Sequence, residues 1–215
     1  MPAPTIPRLP YVHLNLRRNP FGELTTEEWT ALADVDVKPL LPVLRISHTA
    51  IQFIGEKGYG KTTHLLAIRS HFESAGYVHL PEGERRRIPA GAPLLIDEAQ
   101  RLTIWQRFQQ FRSRVPLVLG THRDFETSLR RAGRSVITIQ VAERMNAQRL
   151  HRLLNARISA ARRQSGPIPT VSLKSAQNLQ EAFGPDIRQI IHQLYRRTQR
   201  LQSIGELSGD RDGDG

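Results

Sequence analysis

The pattern of hydrophobic positions changes twice along the chain and divides it into regions. From residue 50, short apolar runs alternate with segments of helical period, whereas after residue 141 only helical periods remain. Apolar runs without polar alternation are typical of strands buried on both faces of a parallel sheet. The pattern predicts strands at residues 50–54, 77–80 (the weakest signal), 93–97, 117–120 and 136–141. The predicted fold class is α/β, with a parallel sheet core followed by a C-terminal helical lid.

Helices are predicted where apolar residues recur every three or four positions. One begins at Thr25, where Glu28 completes a capping box. The others are predicted at residues 61–75, 143–163 and 172–183 and from Pro185 onward. Four prolines among the first ten residues, with no periodic pattern, favour an extended arm over residues 1–18. The predicted regions are residues 1–49 (arm and leading helix), 50–141 (α/β core), 142–202 (helical lid) and 203–215 (a disordered acidic tail).

A glycine-rich stretch lies between the first strand and the next helix. Residues 55–62, Gly-Glu-Lys-Gly-Tyr-Gly-Lys-Thr, fit the pattern GxxxxGK[ST] in the strand–loop–helix context of a phosphate-binding P-loop. Glycines let the backbone turn tightly, so that successive N–H groups point at a phosphate, and the helix N-terminus adds a favourable dipole. Lys61 is expected to neutralise the β- and γ-phosphates. The predicted ATP-binding residues here are Gly55, Glu56, Lys57, Gly58, Tyr59, Gly60, Lys61, Thr62 and Thr63. A plain glycine-rich turn is the alternative.

Two adjacent carboxylates end the buried strand at residues 94–98, Leu-Leu-Ile-Asp-Glu. Asp97 is placed to hold Mg²⁺ together with the Thr62 hydroxyl, as in other P-loop enzymes. Glu98 follows directly and is expected to polarise a water for attack on the γ-phosphate. A solvated charge at a strand end is the alternative for Glu98. A small P-loop kinase is disfavoured because it has less need of a water-activating glutamate there.

These residues resemble the AAA+ superfamily of P-loop ATPases. The similarity is to its initiator and clamp-loader branch and to small bacterial helper ATPases of transposition and secretion, over about residues 17–200. Residues 55–62 match Walker A and residues 94–98 match Walker B. The resemblance implies a P-loop NTPase core, ATP and Mg²⁺ as cofactors, and a homo-oligomer. Only 36 positions separate Lys61 from Asp97, which is short for the strand and helix usual there.

The resemblance also implies roles for residues outside the two motifs. Residues 117–122 look like the strand that ends in a polar sensor 1 residue, which makes Thr121 the first choice and His122 the second. Residues 184–188, Gly-Pro-Asp-Ile-Arg, are similar to the lid segment whose arginine, sensor 2, reaches the γ-phosphate. That arginine is Arg188, for which an ordinary surface position is the alternative. Asn19, Pro20 and Phe21 resemble the segment that packs near the adenine, and Pro20 and Phe21 are expected to contact the nucleotide.

An arginine-rich segment precedes the last predicted strand. AAA+ proteins, which this sequence resembles, tend to carry an arginine finger just before the last core strand. This arginine acts on the nucleotide of a neighbouring subunit. Arg131 and Arg134 are the two candidates. A solvated turn is the equally weighted alternative.

The charge balance bears on partners. Lys+Arg is 31 against 20 for Asp+Glu, a net charge of +11. Of the basic residues 27 are arginine, which suits phosphate contacts but also follows from a GC-rich genome. DNA is therefore one candidate partner, beside an unidentified protein. The absence of cysteine and of a signal peptide or membrane-spanning run favours a soluble cytoplasmic protein and excludes a disulfide scaffold.

Several further groups have two interpretations. One side of the helix at 143–163 carries a basic stripe that could follow a phosphate backbone, although a solvated face is favoured. Arg157 falls on the apolar side of that helix and is expected to reach a carboxylate or the nucleotide. Residues 85–87 are three consecutive arginines. Core packing is favoured over base stacking for Trp105, Phe108 and Phe111. The stripe residues are Arg144, Arg149, Arg152, Arg162 and Arg163.

The leading hypothesis from sequence is an AAA+-like ATPase. Hydrolysis of ATP with Mg²⁺, through Asp97 and Glu98, would drive a conformational change or the assembly of a partner complex, with DNA as one candidate partner. The alternative is an ATP-switched adaptor that binds DNA or protein and has little intrinsic turnover.

Overall fold

In the computed structural model the chain divides into two units. Residues 26–144 form one, here called the sheet unit, while residues 1–25 and 145–215 together form the other, here called the helical unit. The structure describes residues 10–25, 28, 35–142 and 146–208. Of the helix predicted to begin at Thr25, only Thr25 and Glu28 lie within these ranges. Residues 143–145 of the next predicted helix, which include Arg144 of the basic stripe, lie outside them.

The sheet unit is built on five strands. They are β1 (Thr49–Ile54), β2 (Gly76–His79), β3 (Leu94–Asp97), β4 (Leu117–Thr121) and β5 (Ser135–Gln140). Their order in the sheet is β2-β3-β4-β1-β5, and each pair of neighbours is parallel. The predicted α/β class with a parallel sheet is confirmed. Strands β1, β3 and β4 are adjacent, so their carboxyl ends lie side by side.

Successive residues of the central strands pack into two different hydrophobic clusters. Ala50 belongs to one cluster, whereas Ile51 and Phe53 belong to the other. Helix α1 (Lys61–Arg69) packs into the same cluster as Ile51, and helices α2 (Ile104–Arg112) and α3 (Glu126–Arg131) pack into the cluster of Ala50. The sheet is therefore covered on both faces, which explains why β3 and β4, buried at every residue, show no polar alternation.

The connection between α1 and β3 differs from the prediction. Helix α1 ends at Arg69, not near residue 75, and Gly76 begins β2 instead of stopping a helix. A side chain at Gly76 would lie 2.7 Å from the Ala90 carbonyl oxygen, so only glycine fits this close approach. Residues 80–93, all described, contain no helix or strand. The short spacing before Asp97 thus keeps the second strand and omits a helix.

The helical unit contains α4 (Ala147–Ala160), α5 (Leu173–Phe183) and α6 (Ile187–Arg200). Each helix begins at a residue whose side chain accepts a hydrogen bond from the first turn: Asn146, Ser172 and Asp186. The predicted C-terminal helices are present. Their apolar sides form one core, which also takes in Leu14, Leu16 and Phe21 from the N-terminal segment.

The predicted disordered tail differs from the structure at its beginning. Leu207 is buried in the helical core, and the Ser175 hydroxyl donates to the Glu206 carboxylate at 2.6 Å. Backbone hydrogen bonds also join Thr170 to Gly205 and Leu207. The composition of residues 203–215 suggested disorder, but a single leucine within it has an apolar core to enter. Residues 209–215 lie outside the described ranges.

Candidate nucleotide site

The candidate site lies at the carboxyl edge of the sheet. Residue 55 follows β1 directly, while Asp97 ends β3 and Thr121 ends β4. The parallel register pairs Ile54 with Thr121 and Asp97 with Gly120. The sheet thus brings the glycine-rich loop and the two predicted carboxylates together, although 36 positions separate Lys61 from Asp97 in the chain.

The glycine-rich loop has the backbone geometry that its sequence predicts. Gly58 and Gly60 have φ angles of 96° and 92°, in the left-handed region that favours glycine. Gly60 precedes α1, and no side chain in the described part of the sheet unit caps this helix start. The buried ammonium of Lys61 donates to the carbonyl oxygens of Gly55 and Glu56 at 2.8 and 3.0 Å. The loop therefore offers a helix N-terminus and a cation to an anionic group.

Asp97 is fully buried, and both its oxygens accept hydrogen bonds. One accepts from the Thr62 hydroxyl at 2.7 Å and lies 3.1 Å from Nδ1 of His79, while the other accepts from the Glu98 backbone N–H. A hydroxyl beside a carboxylate is a suitable oxygen pair for Mg²⁺, a hard cation that keeps few protein ligands. The described residues contain no cluster of three or more acidic, His or Cys side chains that could hold a metal ion alone. The donor set fits a metal that is shared with a nucleotide.

The position of Asp97 depends on the absence of a side chain at Gly120. A Cβ at residue 120 would lie 2.7 Å from Oδ1 of Asp97, inside the closest normal contact. We expect Gly120→Ala to displace this carboxylate, to lower the free energy of unfolding by about 1–3 kcal/mol and to weaken nucleotide-dependent activity. Gly205→Ala is the matched control, since a Cβ there meets nothing within 4 Å. Chemical denaturation of both variants checks the prediction, and equal stability would contradict it.

Glu98 has an unusual backbone conformation. Its φ and ψ are 61° and 43°, which is uncommon for a residue with a side chain and is found most often at functional sites. Its carboxylate, only 12% exposed, accepts from the Gln100 amide at 2.7 Å and lies 3.8 Å from Nζ of Lys61. Burial raises the pKa of Glu98, but the Gln100 hydrogen bond and the charges of Lys61, His122 and Arg101 together bring this pKa below its ordinary value. Glu98 is therefore ionised at neutral pH.

The two sensor 1 candidates have different environments. The Thr121 hydroxyl accepts from the Arg123 N–H and donates to the Arg123 carbonyl, both at 2.9 Å, so it shapes the turn after β4. The His122 ring lies 3.3 Å from both Nζ of Lys61 and the Glu98 carboxylate, and 3.4 Å from the carboxylate of Glu56. The structure thus brings the second choice, His122, into the cluster, while it uses the side chain of Thr121 elsewhere.

Sequence reasoning missed two residues of this cluster. His79 ends β2 and contacts Asp97, its partner in the β2–β3 register. The Gln100 side-chain amide donates to the Glu98 carboxylate, and its oxygen accepts from the backbone N–H of His122 at 3.3 Å. Gln100 therefore links the ends of β3 and β4. Pairing of β2 with β3 would have indicated His79. No local pattern indicates Gln100.

The two candidates for an arginine finger also separate. Arg131 is exposed. Arg134 is buried, and its guanidinium donates to five backbone carbonyls within the sheet unit. Since these bonds occupy all its N–H groups, Arg134 is not available to a neighbouring subunit. Burial lowers the pKa of Arg134 to about 10, so it is still charged at neutral pH.

The other predicted residues belong to the helical unit. Phe21 is buried in the helical core, and the Asn19 amide donates to the Tyr195 carbonyl at 3.0 Å. Arg157 donates to the carbonyls of Pro20 and Gly22 at 2.9 and 2.7 Å, so these described contacts are with backbone and not with a carboxylate. Arg188 is exposed in the first turn of α6. Arg152 and Arg163 of the basic stripe are exposed, and Arg149 and Arg162 are half-buried.

Comparison with known proteins supports the fold. No protein-family model and no curated protein matches the chain. Cdc6p from Pyrobaculum aerophilum is similar in structure, with a TM-score of 0.54 and 16% identity over 85% of this chain and 65% of that one. The RuvB Holliday junction branch migration motor of Thermotoga maritima matches with a TM-score of 0.45, 16% identity and coverage of 82% and 61%. NtrX from Brucella abortus, in complex with ADP, matches with a TM-score of 0.41, 14% identity and coverage of 77% and 48%.

The chain spans less than two thirds of the length of these solved structures. The resemblance to AAA+ P-loop ATPases is confirmed at the level of the fold. Among the described residues, no helix combines the length and apolar character that crossing a membrane requires.

Proposed function

We propose that this chain, which has the fold of the AAA+ P-loop ATPases, binds ATP with Mg²⁺ at residues 55–63 and hydrolyses it. One observation carries the proposal. Close to Lys61 lie the Thr62 hydroxyl, Asp97 and Glu98. They lie at the N-terminus of a helix that no described side chain caps. A phosphate chain, a divalent cation and an attacking water need these groups in this proximity.

The residues of the loop have separate roles in this proposal. Backbone N–H groups at the start of α1 bind the phosphates, and Lys61 neutralises part of their charge. Thr62 and Asp97 hold Mg²⁺, whose charge stabilises the negative charge on the phosphate oxygens. His79 holds the Asp97 carboxylate in place through their 3.1 Å contact. Asp97 is thereby oriented before any nucleotide binds.

Glu98 activates the water. Its carboxylate takes a proton as the water oxygen bonds to the γ-phosphorus and the bond to the bridging oxygen of ADP breaks. The lowered pKa of Glu98 keeps it in the ionised form that accepts a proton. We assign the sensor 1 role to His122, because its ring lies 3.3 Å from both the Glu98 carboxylate and Nζ of Lys61. Thr121 then serves to shape the turn after β4.

Turnover is proposed to drive a conformational change, or assembly of a partner complex, through the helical lid and its Arg188. A homo-oligomer remains part of the proposal, with Arg131 as the finger because Arg134 is engaged internally. Pro20 and Phe21 are proposed to lie near the adenine. Each of these roles adds to the nucleotide site and is not needed for it.

Substitution of Lys61 tests the site. We expect Lys61→Ala to weaken ATP affinity by roughly ten- to a hundredfold, the effect of losing charge-assisted hydrogen bonds to phosphate. Lys38→Ala, which removes an exposed lysine from the same unit, is the matched control. Binding is measured by calorimetric titration of ATP with Mg²⁺ into the full chain. Unchanged ATP affinity in Lys61→Ala would rule out the P-loop hypothesis.

A further inference from the structure

Helix α2 presents large apolar side chains to solvent. Ile104 is 86% exposed, Trp105 69% and Phe108 52%, whereas Phe111 is buried. The prediction that Trp105 and Phe108 pack in the core is therefore wrong, while that for Phe111 is confirmed. At about 100° per residue, Ile104, Phe108, Arg112 and Trp105 lie within one arc of about 100°, and all four are exposed. Phe111, which packs in the cluster under the sheet, lies about 20° beyond Ile104, at the buried edge of this arc. These four residues are here called the aromatic face.

The aromatic face has a defined arrangement of rings. The centroids of Trp105 and Phe108 are 6.0 Å apart, and their planes are inclined by only 20°. The Arg112 guanidinium lies over the Phe108 ring, 5.0 Å from its centroid. Nearly parallel rings with an adjacent guanidinium are the combination on which unpaired bases stack. Two aromatic rings that are more than half exposed indicate a binding surface, and flat apolar groups would pack on it best.

The surroundings of the aromatic face are positively charged. Residues 101–114 include four arginines and no acidic residue. Gln106, next to Trp105, donates to the Arg86 carbonyl at 3.0 Å, which fixes the loop of three arginines beside the start of α2. Glu84 pairs with Arg86 at 3.2 Å, but no carboxylate among the described residues pairs with Arg85, Arg87 or Arg112. Arg112 thus lies on the aromatic face itself, and the loop with Arg85 and Arg87 lies beside the start of the same helix.

We propose that the aromatic face binds single-stranded DNA, with bases stacked on Trp105 and Phe108 and phosphates near Arg112 and the loop at residues 85–87. A second copy of the chain would bring together two surfaces of the same positive sign, on a chain of net charge +11. Ile104, which is 86% exposed, offers an apolar surface to a deoxyribose and no hydrogen-bond partner to the 2′-hydroxyl of RNA. This inference does not depend on the proposed nucleotide site.

Fluorescence anisotropy with a labelled oligothymidylate of about 20 nucleotides tests the proposal at roughly 50 mM salt, without ATP. We expect Trp105→Ala in the full chain to weaken binding by about five- to a hundredfold. Trp105→Tyr, which keeps an aromatic ring, should restore most of the affinity. Arg112→Gln should lower the slope of log affinity against log salt by about 0.7. Ile46→Ala, an exposed apolar residue of the same unit, is the matched control and should bind as wild type.

Four outcomes would overturn the proposal. They are no binding of the oligonucleotide by the wild type, equal binding by Trp105→Ala, equal or tighter binding of the matching RNA, and self-association that Trp105→Ala abolishes. Lys61→Ala should bind the oligonucleotide as the wild type does, so that failure of the nucleotide site and failure of the aromatic face are distinguishable. Thermal unfolding of each variant confirms that binding is compared between folded proteins.

Discussion

Replacing Glu98 by glutamine is expected to leave ATP affinity close to that of the wild type and to lower turnover by about 10²–10⁴-fold, the usual contribution of a positioned general base. Glutamine has nearly the same shape as glutamate, and its amide oxygen can still accept the hydrogen bond from Gln100. It has no carboxylate to take the proton of a water. The substitution therefore separates binding from chemistry.

Release of phosphate at saturating ATP and Mg²⁺ measures this effect. Glu82→Gln is the matched control because Glu82 lies 3.6 Å from the same Arg101 that contacts Glu98, yet it is exposed. Retained turnover in Glu98→Gln would remove Glu98 as the base. The Gln100 hydrogen bond and the nearby positive charges hold the pKa of Glu98 below its ordinary value. Wild-type turnover should therefore persist to a more acidic pH than an ordinary glutamate base would allow.

The same experiment separates the two proposed functions. Turnover in the wild type that is lost in Glu98→Gln supports an ATPase. ATP binding without turnover in either protein supports the ATP-switched adaptor. The adaptor has structural support, since the Glu98 carboxylate accepts a hydrogen bond from Gln100 and lies near His122. In that case a partner would have to release Glu98 from these contacts.

Local chemistry made much of the fold predictable from sequence. Buried strands leave continuous apolar runs, and a glycine-rich loop before a helix has few functions, so β1, β3 and the loop after residue 54 were identifiable. Because these strands are parallel, their carboxyl ends had to meet at one edge. This geometric rule predicts from sequence that Lys61, Thr62, Asp97 and Glu98 lie together.

Contacts between distant segments were not predictable in the same way. Gln100 and His122 are 22 positions apart and meet only because β3 and β4 are neighbours. A periodic pattern also does not say which side of a short helix faces the sheet. The apolar residues of α2 lie within one arc of about 120°, and Phe108 and Phe111 are only about 60° apart. They therefore look alike in sequence, although Phe111 is buried and Phe108 is exposed.

Arg134 shows most clearly how a structural arginine and one proposed to act on a nucleotide can share a sequence pattern. Arg130, Arg131 and Arg134 lie within six residues, and nothing local distinguishes them. In the structure Arg134 is only 4% exposed and donates to the carbonyls of Gln110, Phe111 and Ser113, at the C-terminus of α2. It also donates to the carbonyls of Val115 and Thr49, the latter in β1. It thus donates to carbonyls at the end of α2, where the donors within the helix run out.

We expect Arg134→Ala to lower the free energy of unfolding by more than about 3 kcal/mol, because several buried carbonyls would lose their donor and each costs about 1–3 kcal/mol. For a chain of this size that corresponds to a fall in Tm of roughly 6–12 °C. Arg134→Lys should recover part of the loss, since an ammonium donates three hydrogen bonds where the guanidinium donates five. Calorimetry of the purified variants provides the measurement.

Arg131→Ala is the control that separates the two roles. Its side chain is exposed, so its removal should change the free energy of unfolding by less than about 0.5 kcal/mol. If Arg131→Ala proved as unstable as Arg134→Ala, the structural distinction between the two arginines would be wrong. We expect Arg131→Ala to be stable and Arg134→Ala to be unstable. A loss of ATPase activity in Arg131→Ala would then report on a subunit contact. The same loss in Arg134→Ala would follow from damage to the sheet unit.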